Sequence, residues 1–134
     1  MTKNRFQKIR EDHSRELSED YVELIDDLII EKGEARITDL ASRLGVSSVT
    51  VSKRVRKLVE EGLVSAEPYR SIFLTKQGHK LAEEARERHR LVYEFLTSLG
   101  ISPETAEIDA EGIEHHCSEE TLQAMTQMAR RQKG

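Results

Sequence analysis

At 134 residues, 37% of them hydrophobic and 34% charged, the chain has the composition of a globular protein of one domain, or of one small domain plus a helical module, and a partner copy would help it complete a core. No apolar run reaches the length of a membrane span, charge rather than an apolar stretch follows Met1, and the single Cys117 excludes an internal disulfide or an all-thiolate zinc site, so a cytoplasmic protein is expected. The net charge of −4 is unevenly spread: residues 1 to 35 carry 6 basic and 10 acidic side chains, residues 36 to 90 carry 12 and 7, and residues 91 to 134 carry 3 and 8, which confines any attraction for a polyanion to the middle segment.

Tyr21, Leu24, Ile25, Leu28 and Ile29 recur at three and four residues, which predicts one apolar face of a helix closed by Gly33. Phe6, Ile9 and Leu17 fit the same period loosely, so residues 1 to 17 are a candidate helical extension. Thr38 is the expected N-cap of a short helix through Leu40, Ala41 and Leu44 that stops at Gly45. Ser47 or Ser48 caps the next, whose inward stripe is Val51, Val55 and Leu58 and whose stop is Gly62. Two helices joined by Gly45-Val46-Ser47 have the turn chemistry of a helix-turn-helix. Residues 63 to 66 and 72 to 75, separated by Glu67-Pro68-Tyr69-Arg70-Ser71, read as a hairpin, and a hairpin in that position is a wing. A long helix is expected from Lys76 to Leu99, another after Ser102-Pro103-Glu104, and a last one from Ser118 with Leu122, Met125, Met128 and Ala129 on its apolar side. The fold class is therefore mainly α with a small β-hairpin: a winged helix-turn-helix over residues 1 to 75, then a helical domain over residues 76 to 134.

A recognition helix enters the major groove with short polar side chains at its start and cations farther along to hold phosphates. Ser47, Ser48, Thr50, Lys53 and Arg54 occupy the first two turns, Arg56 and Lys57 follow, and Tyr69 with Arg70 stands at the wing tip. Each of these alone is equally well a solvated surface group. Together with the wing and the basic middle segment they predict double-stranded DNA as the partner.

Acidic residues and histidines cluster elsewhere. Glu111, Glu114 and His115 project from one side of the helix that starts at Pro103, with His116 rotated about 100° beyond. Asp20 and Glu23 form a second pair at helical spacing, which by itself fits a solvated face, and His89 lies midway along the long helix among arginines, where a plain surface or packing role fits as well. Gly112 costs its helix about 1 kcal/mol relative to alanine, which suggests either the close approach of a neighbouring element or a preceding carbonyl freed for another partner.

Three segments carry a family resemblance: Ser-Glu-Asp-Tyr-Val-Glu at 18 to 23, Gly-Val-Ser-Ser-Val-Thr-Val-Ser-Lys at 45 to 53, and Asp-Ala-Glu-Gly-Ile-Glu-His-His at 109 to 116. From about Ser18 to Ala129 the chain resembles the manganese transport regulators of the diphtheria toxin repressor family. The resemblance implies metal ligands at Asp20, Glu23, His89, Glu111, Glu114 and His115, a binuclear arrangement with one or two Mn²⁺ per subunit in which carboxylates bridge and the Glu111 carbonyl contributes, and a homodimer joined through the helices after the wing. It also implies repression of manganese-uptake genes with Mn²⁺ as corepressor, activation of export being a further option, and no SH3-like domain attached after the last helix. The iron-responsive branch has Met where this chain has Asp20 and Cys where it has Glu111. Oxygen in place of sulfur at both positions favours Mn²⁺ over Fe²⁺.

Metal held by carboxylates of the first helix and by the later helices would set the separation of the two recognition helices in a dimer, matching successive major grooves about 34 to 36 Å apart. Three alternatives compete with this reading: a metal-independent winged-helix regulator answering another ligand, an iron-responsive member of the same family, and a dimetal carboxylate enzyme. The enzyme leaves the wing and the basic segment without a role, and no nucleophile–base set or glycine-rich phosphate loop accompanies it.

Overall fold

The computed structural model describes residues 4–67 and 70–133. Its elements in chain order are α1 (Arg5–Lys32), α2 (Ile37–Leu44), α3 (Ser48–Glu60), β1 (Val64–Ser65), β2 (Phe73–Leu74), α4 (Lys76–Ser98), α5 (Pro103–Ile113) and α6 (Glu119–Lys133). The chain forms two compact units, one over Leu17–Glu83 and the other combining the residues up to Glu16 with those from Glu84 onward. The expected boundary at residue 75 and this division differ at both ends. The start of α1 belongs with the helical unit, because Arg15 Nη2 donates to the His115 carbonyl at 3.1 Å and to Asp12 at 3.1 Å.

The first unit is a winged helix-turn-helix. Tyr21, Ile25 and Leu28 of α1 meet Leu40 of α2 and Val51, Val55 and Leu58 of α3 in one buried cluster, completed by Ala35, Val64 and Ile72. Gly45 at φ 68° ends α2, and the Ser47 hydroxyl accepts from the Thr50 N–H at 3.1 Å to start α3. The cap of α2 is not Thr38 as expected. The cap lies two residues earlier, at Arg36, so the helix begins at Ile37, and the Asp39 carboxylate accepts from the Arg36 N–H at 3.2 Å. The wing pairs Val64 with Leu74 and Ser65 with Phe73 in antiparallel register, so its strands are shorter than the four-residue segments expected.

The second unit has its own core of Val92 and Leu96 from α4, Ala106 and Ala110 from α5, and Leu122 from α6. Ser102 and Ser118 each cap the helix that follows, accepting from the N–H groups of Thr105 and Thr121. Met128, expected on the apolar side of α6, is 41% exposed, and Leu99 and Ile108 are also exposed. No helix among the described residues is long and apolar enough to cross a membrane.

Candidate functional site

Glu107, Glu111 and Glu114 recur at four and three residues along α5 and its C-cap, so all three face the same way. Across from them stands His89 of α4. Its Nε2 is hydrogen-bonded to Glu107 Oε1 at 2.9 Å, which leaves Nδ1 to face the other two carboxylates. That Nδ1 is buried and makes no hydrogen bond among the described residues, yet Glu111 Oε1 and Glu114 Oε2 each lie 3.3 Å away. Acceptors turned toward one another at that separation need a cation or a proton between them. Donor atoms of His89, Glu111 and Glu114 all fall within 4.8 Å of one another, the arrangement of a nitrogen and oxygen metal site. Glu107 then has the role of a carboxylate that fixes a ligating histidine in one tautomer. It was absent from the residues singled out in the sequence, although its spacing from Glu111 was a readable signal.

Glu114 and His115 are 1% and 2% exposed, with His115 Nε2 at 3.4 Å from Glu114 Oε1. His116, which with His115 follows the end of α5, has Nε2 3.3 Å from Glu16 and Nδ1 3.7 Å from Asp12. A hydrogen bond from Lys8 holds the Asp12 carboxyl below the usual carboxylate range. Glu16 is a second acidic side chain that the sequence reading passed over, within 4.8 Å of a His115 ring nitrogen. Asp20 follows Glu16 by one turn of α1, and Asp20 and Glu23 are both half-buried in the other compact unit. Cys117 is half-buried, and that burial pushes its thiol pKa up, so it is a poor thiolate donor.

Among the described residues no neighbouring element closes on Gly112. A Cβ built there meets nothing within 4 Å, in a shallow depression lined by Ile108, Asp109 and Ile113. Gly112→Ala is therefore expected to raise thermodynamic stability by about 1 kcal/mol, through helix propensity alone. Urea denaturation measures it as a higher midpoint at unchanged slope.

On the other unit, Ser47 is engaged as the α3 cap, and its Oγ lies 3.0 Å from Thr50 Oγ1. Ser48 and Arg56 are exposed on α3, and Arg70 is exposed at the wing, 3.2 Å from Glu67. Tyr69 lies outside the described residues. Val49, unremarked in the sequence, is 64% exposed on the first turn of α3, where an apolar side chain can meet a thymine methyl in the major groove. Thr50, Lys53, Arg54 and Lys57 are placed apart from these, lining a cavity of about 390 Å³ with Leu17 and Tyr21 of α1.

Two family models match the chain. Residues 15–72 match the N-terminal DNA-binding domain of iron-dependent repressors, and residues 75–133 match the metal-binding and dimerisation domain of the same proteins. The transcriptional regulator MntR of Escherichia coli O157:H7 is 59% identical over 119 residues, covering 89% of this chain and 77% of the relative. The HTH-type transcriptional regulator MntR of Geobacillus kaustophilus is 44% identical over 100 residues, covering 75% and 71%. Among solved structures, the manganese regulator SloR superposes with a TM-score of 0.71 at 29% identity, and a manganese-dependent transcriptional repressor in complex with manganese with 0.70 at 30%. Each superposition covers 84% of this chain, which spans about half the length of those two solved chains. With the DNA-binding model over the winged unit and the metal-binding model over the helices that carry His89, Glu111 and Glu114, the chain belongs to the iron-dependent repressor family of DNA-binding transcription regulators, not to an enzyme family.

Proposed function

We propose that the chain is a Mn²⁺-dependent transcriptional repressor that binds operator DNA as a cytoplasmic homodimer and represses manganese-uptake genes. The observation that carries the metal requirement is the buried Nδ1 of His89 facing two carboxylate oxygens at 3.3 Å with no hydrogen bond. Glu111 and Glu114 supply hard oxygen donors there, and the family resemblance adds Asp20, Glu23 and His115 to the set, with the Glu111 carbonyl at the helix end as a further oxygen. Seven donors of this kind are enough for one ion or for two bridged by carboxylates. The absence of sulfur at positions 20 and 111 and the manganese regulators among the relatives favour Mn²⁺ over Fe²⁺.

DNA recognition falls to Ser48 and Val49 at the start of α3 and to Thr50, Lys53, Arg54, Arg56 and Lys57 farther along it, with Arg70 at the wing and Tyr69 as the candidate beside it in sequence. A homodimer is supported by the apolar surface left on the helical unit, where Phe6, Ile9, Leu99 and Ile108 are more than half exposed.

Operator binding measured by fluorescence anisotropy against Mn²⁺, Fe²⁺, Co²⁺ and Zn²⁺ at fixed free-ion activity, and with a chelator, tests the reading. Binding should be strengthened about 5- to 150-fold by Mn²⁺, the usual range for coupled sites, and reversed by chelation. Equal affinity with and without metal would establish the metal-independent alternative instead.

A further inference from the structure

The cavity between α1 and α3 has no place in the metal site, and it divides the cations of the recognition helix into two sets. Thr50, Lys53, Arg54 and Lys57 recur at three, four and seven residues, so they share one face of α3, while Arg56 is turned about 200° from Arg54. The opposite wall of the cavity comes from Leu17 and Tyr21. Arg54 is half-buried, and its Nη1 is fully buried with no hydrogen bond among the described residues. A guanidinium nitrogen withdrawn from water without an acceptor is costly, and the cost is removed when an anion enters beside it. Tyr21, whose phenol is kept protonated by burial, is a neutral donor on the α1 wall facing it.

We propose that this cavity is a seat for one DNA backbone phosphate, held by Arg54 with Lys53 and Lys57 and closed on the far side by Tyr21. Arg54 in this position is a phosphate clamp and not a base reader. Base-edge contacts are left to Ser48, Val49 and the outward side of α3. The seat also makes α1 part of the DNA contact. Tyr21 lies between Asp20 and Glu23 in sequence, so ordering α1 at those carboxylates orders one wall of the seat. This regulatory role rests on the metal-dependent reading above, whereas the seat itself rests on the cavity.

The test is operator and random-sequence DNA binding at saturating Mn²⁺ across a salt series. Arg54→Gln should weaken both DNAs by the same factor, roughly 10- to 100-fold, and reduce the slope of log affinity against log salt by about one. Tyr21→Phe should weaken both several-fold at unchanged slope, because it removes a donor and no charge. Arg54→Lys keeps the charge, so it should keep the slope while losing affinity, and it covers the case in which the glutamine variant folds poorly. A wild-type slope in Arg54→Gln, or a loss confined to one operator base pair, would overturn the clamp, and unchanged affinity in Tyr21→Phe would remove α1 from it. Wild-type binding that ignored Mn²⁺ would overturn the metal-dependent reading while the slopes still decided the seat. No DNA binding by the wild type under any condition would overturn both.

Discussion

Glu114→Ala is expected to bind operator DNA no more tightly with Mn²⁺ than without it, losing the whole metal-dependent gain of about 1 to 3 kcal/mol. The reason lies in where the carboxylate sits. Glu114 is 1% exposed, 3.3 Å from the Nδ1 of His89 and 3.4 Å from the Nε2 of His115, so its removal strips the cluster of its buried carboxylate and leaves two imidazoles facing a gap. Removing one partner of a buried charged cluster can cost about 3 to 5 kcal/mol, so the titration is read on protein shown by circular dichroism to be folded. Weak, salt-sensitive binding to nonspecific DNA should survive, since the α3 cations are untouched. Glu107→Ala serves as the graded control. It removes only the partner that fixes the His89 tautomer, so the Mn²⁺ midpoint should move about 10- to 100-fold higher with the plateau preserved. A Mn²⁺ titration of operator binding reads both, and a wild-type midpoint in Glu114→Ala would mean that metal is sensed elsewhere.

The elements of this chain were legible because each announces itself locally. Periodicity marked the inner faces of α1 and α3, while Gly33, Gly45 and Gly62, all at positive φ, marked where helices stop. The candidate site was legible on α5, where Glu111 and Glu114 share a face, and His89 was brought to it by a resemblance and not by any pattern of its own. What stayed hidden depends on pairs far apart in sequence. Nothing in residues 5 to 16 discloses that Arg15 donates to a carbonyl 100 residues later, a contact that groups the first turns of α1 with the later helices. In the same way Arg54 and Tyr21 each read as ordinary members of their own helix. Only packing α1 against α3 encloses a buried guanidinium nitrogen between them. Of the two readings of Gly112, the close approach finds open space among the described residues, which leaves the freed Glu111 carbonyl.

Gly78→Ala should be among the most damaging single-methyl changes in the molecule, although Gly78 is not an expected ligand. A Cβ at this position falls 2.0 Å from the Leu63 carbonyl oxygen, 3.1 Å from its carbon and 3.3 Å from Leu74 Cδ2. The backbone cannot yield without loss. Leu63 O accepts from the Thr75 N–H at 3.0 Å, while Thr75 Oγ1 donates to Gly62 O at 2.6 Å and accepts from the Gly78 N–H at 3.1 Å. Moving Leu63 away from the new methyl therefore breaks the junction at which α3, both wing strands and the start of α4 are tied together. Overpacking of this kind costs about 1 to 3 kcal/mol when neighbours are flexible, and a fixed carbonyl places this case at or above about 3 kcal/mol. Against a typical stability of about 5 to 15 kcal/mol that is a large fraction, and urea denaturation should show it as a much lower midpoint. Because His89, Glu111 and Glu114 are gathered in the other compact unit, the folded fraction should still bind Mn²⁺ while its operator affinity falls at saturating metal. A variant with a wild-type midpoint would show that the Leu63 carbonyl can turn aside, and that the wing is held by its strand pairing and not by this contact.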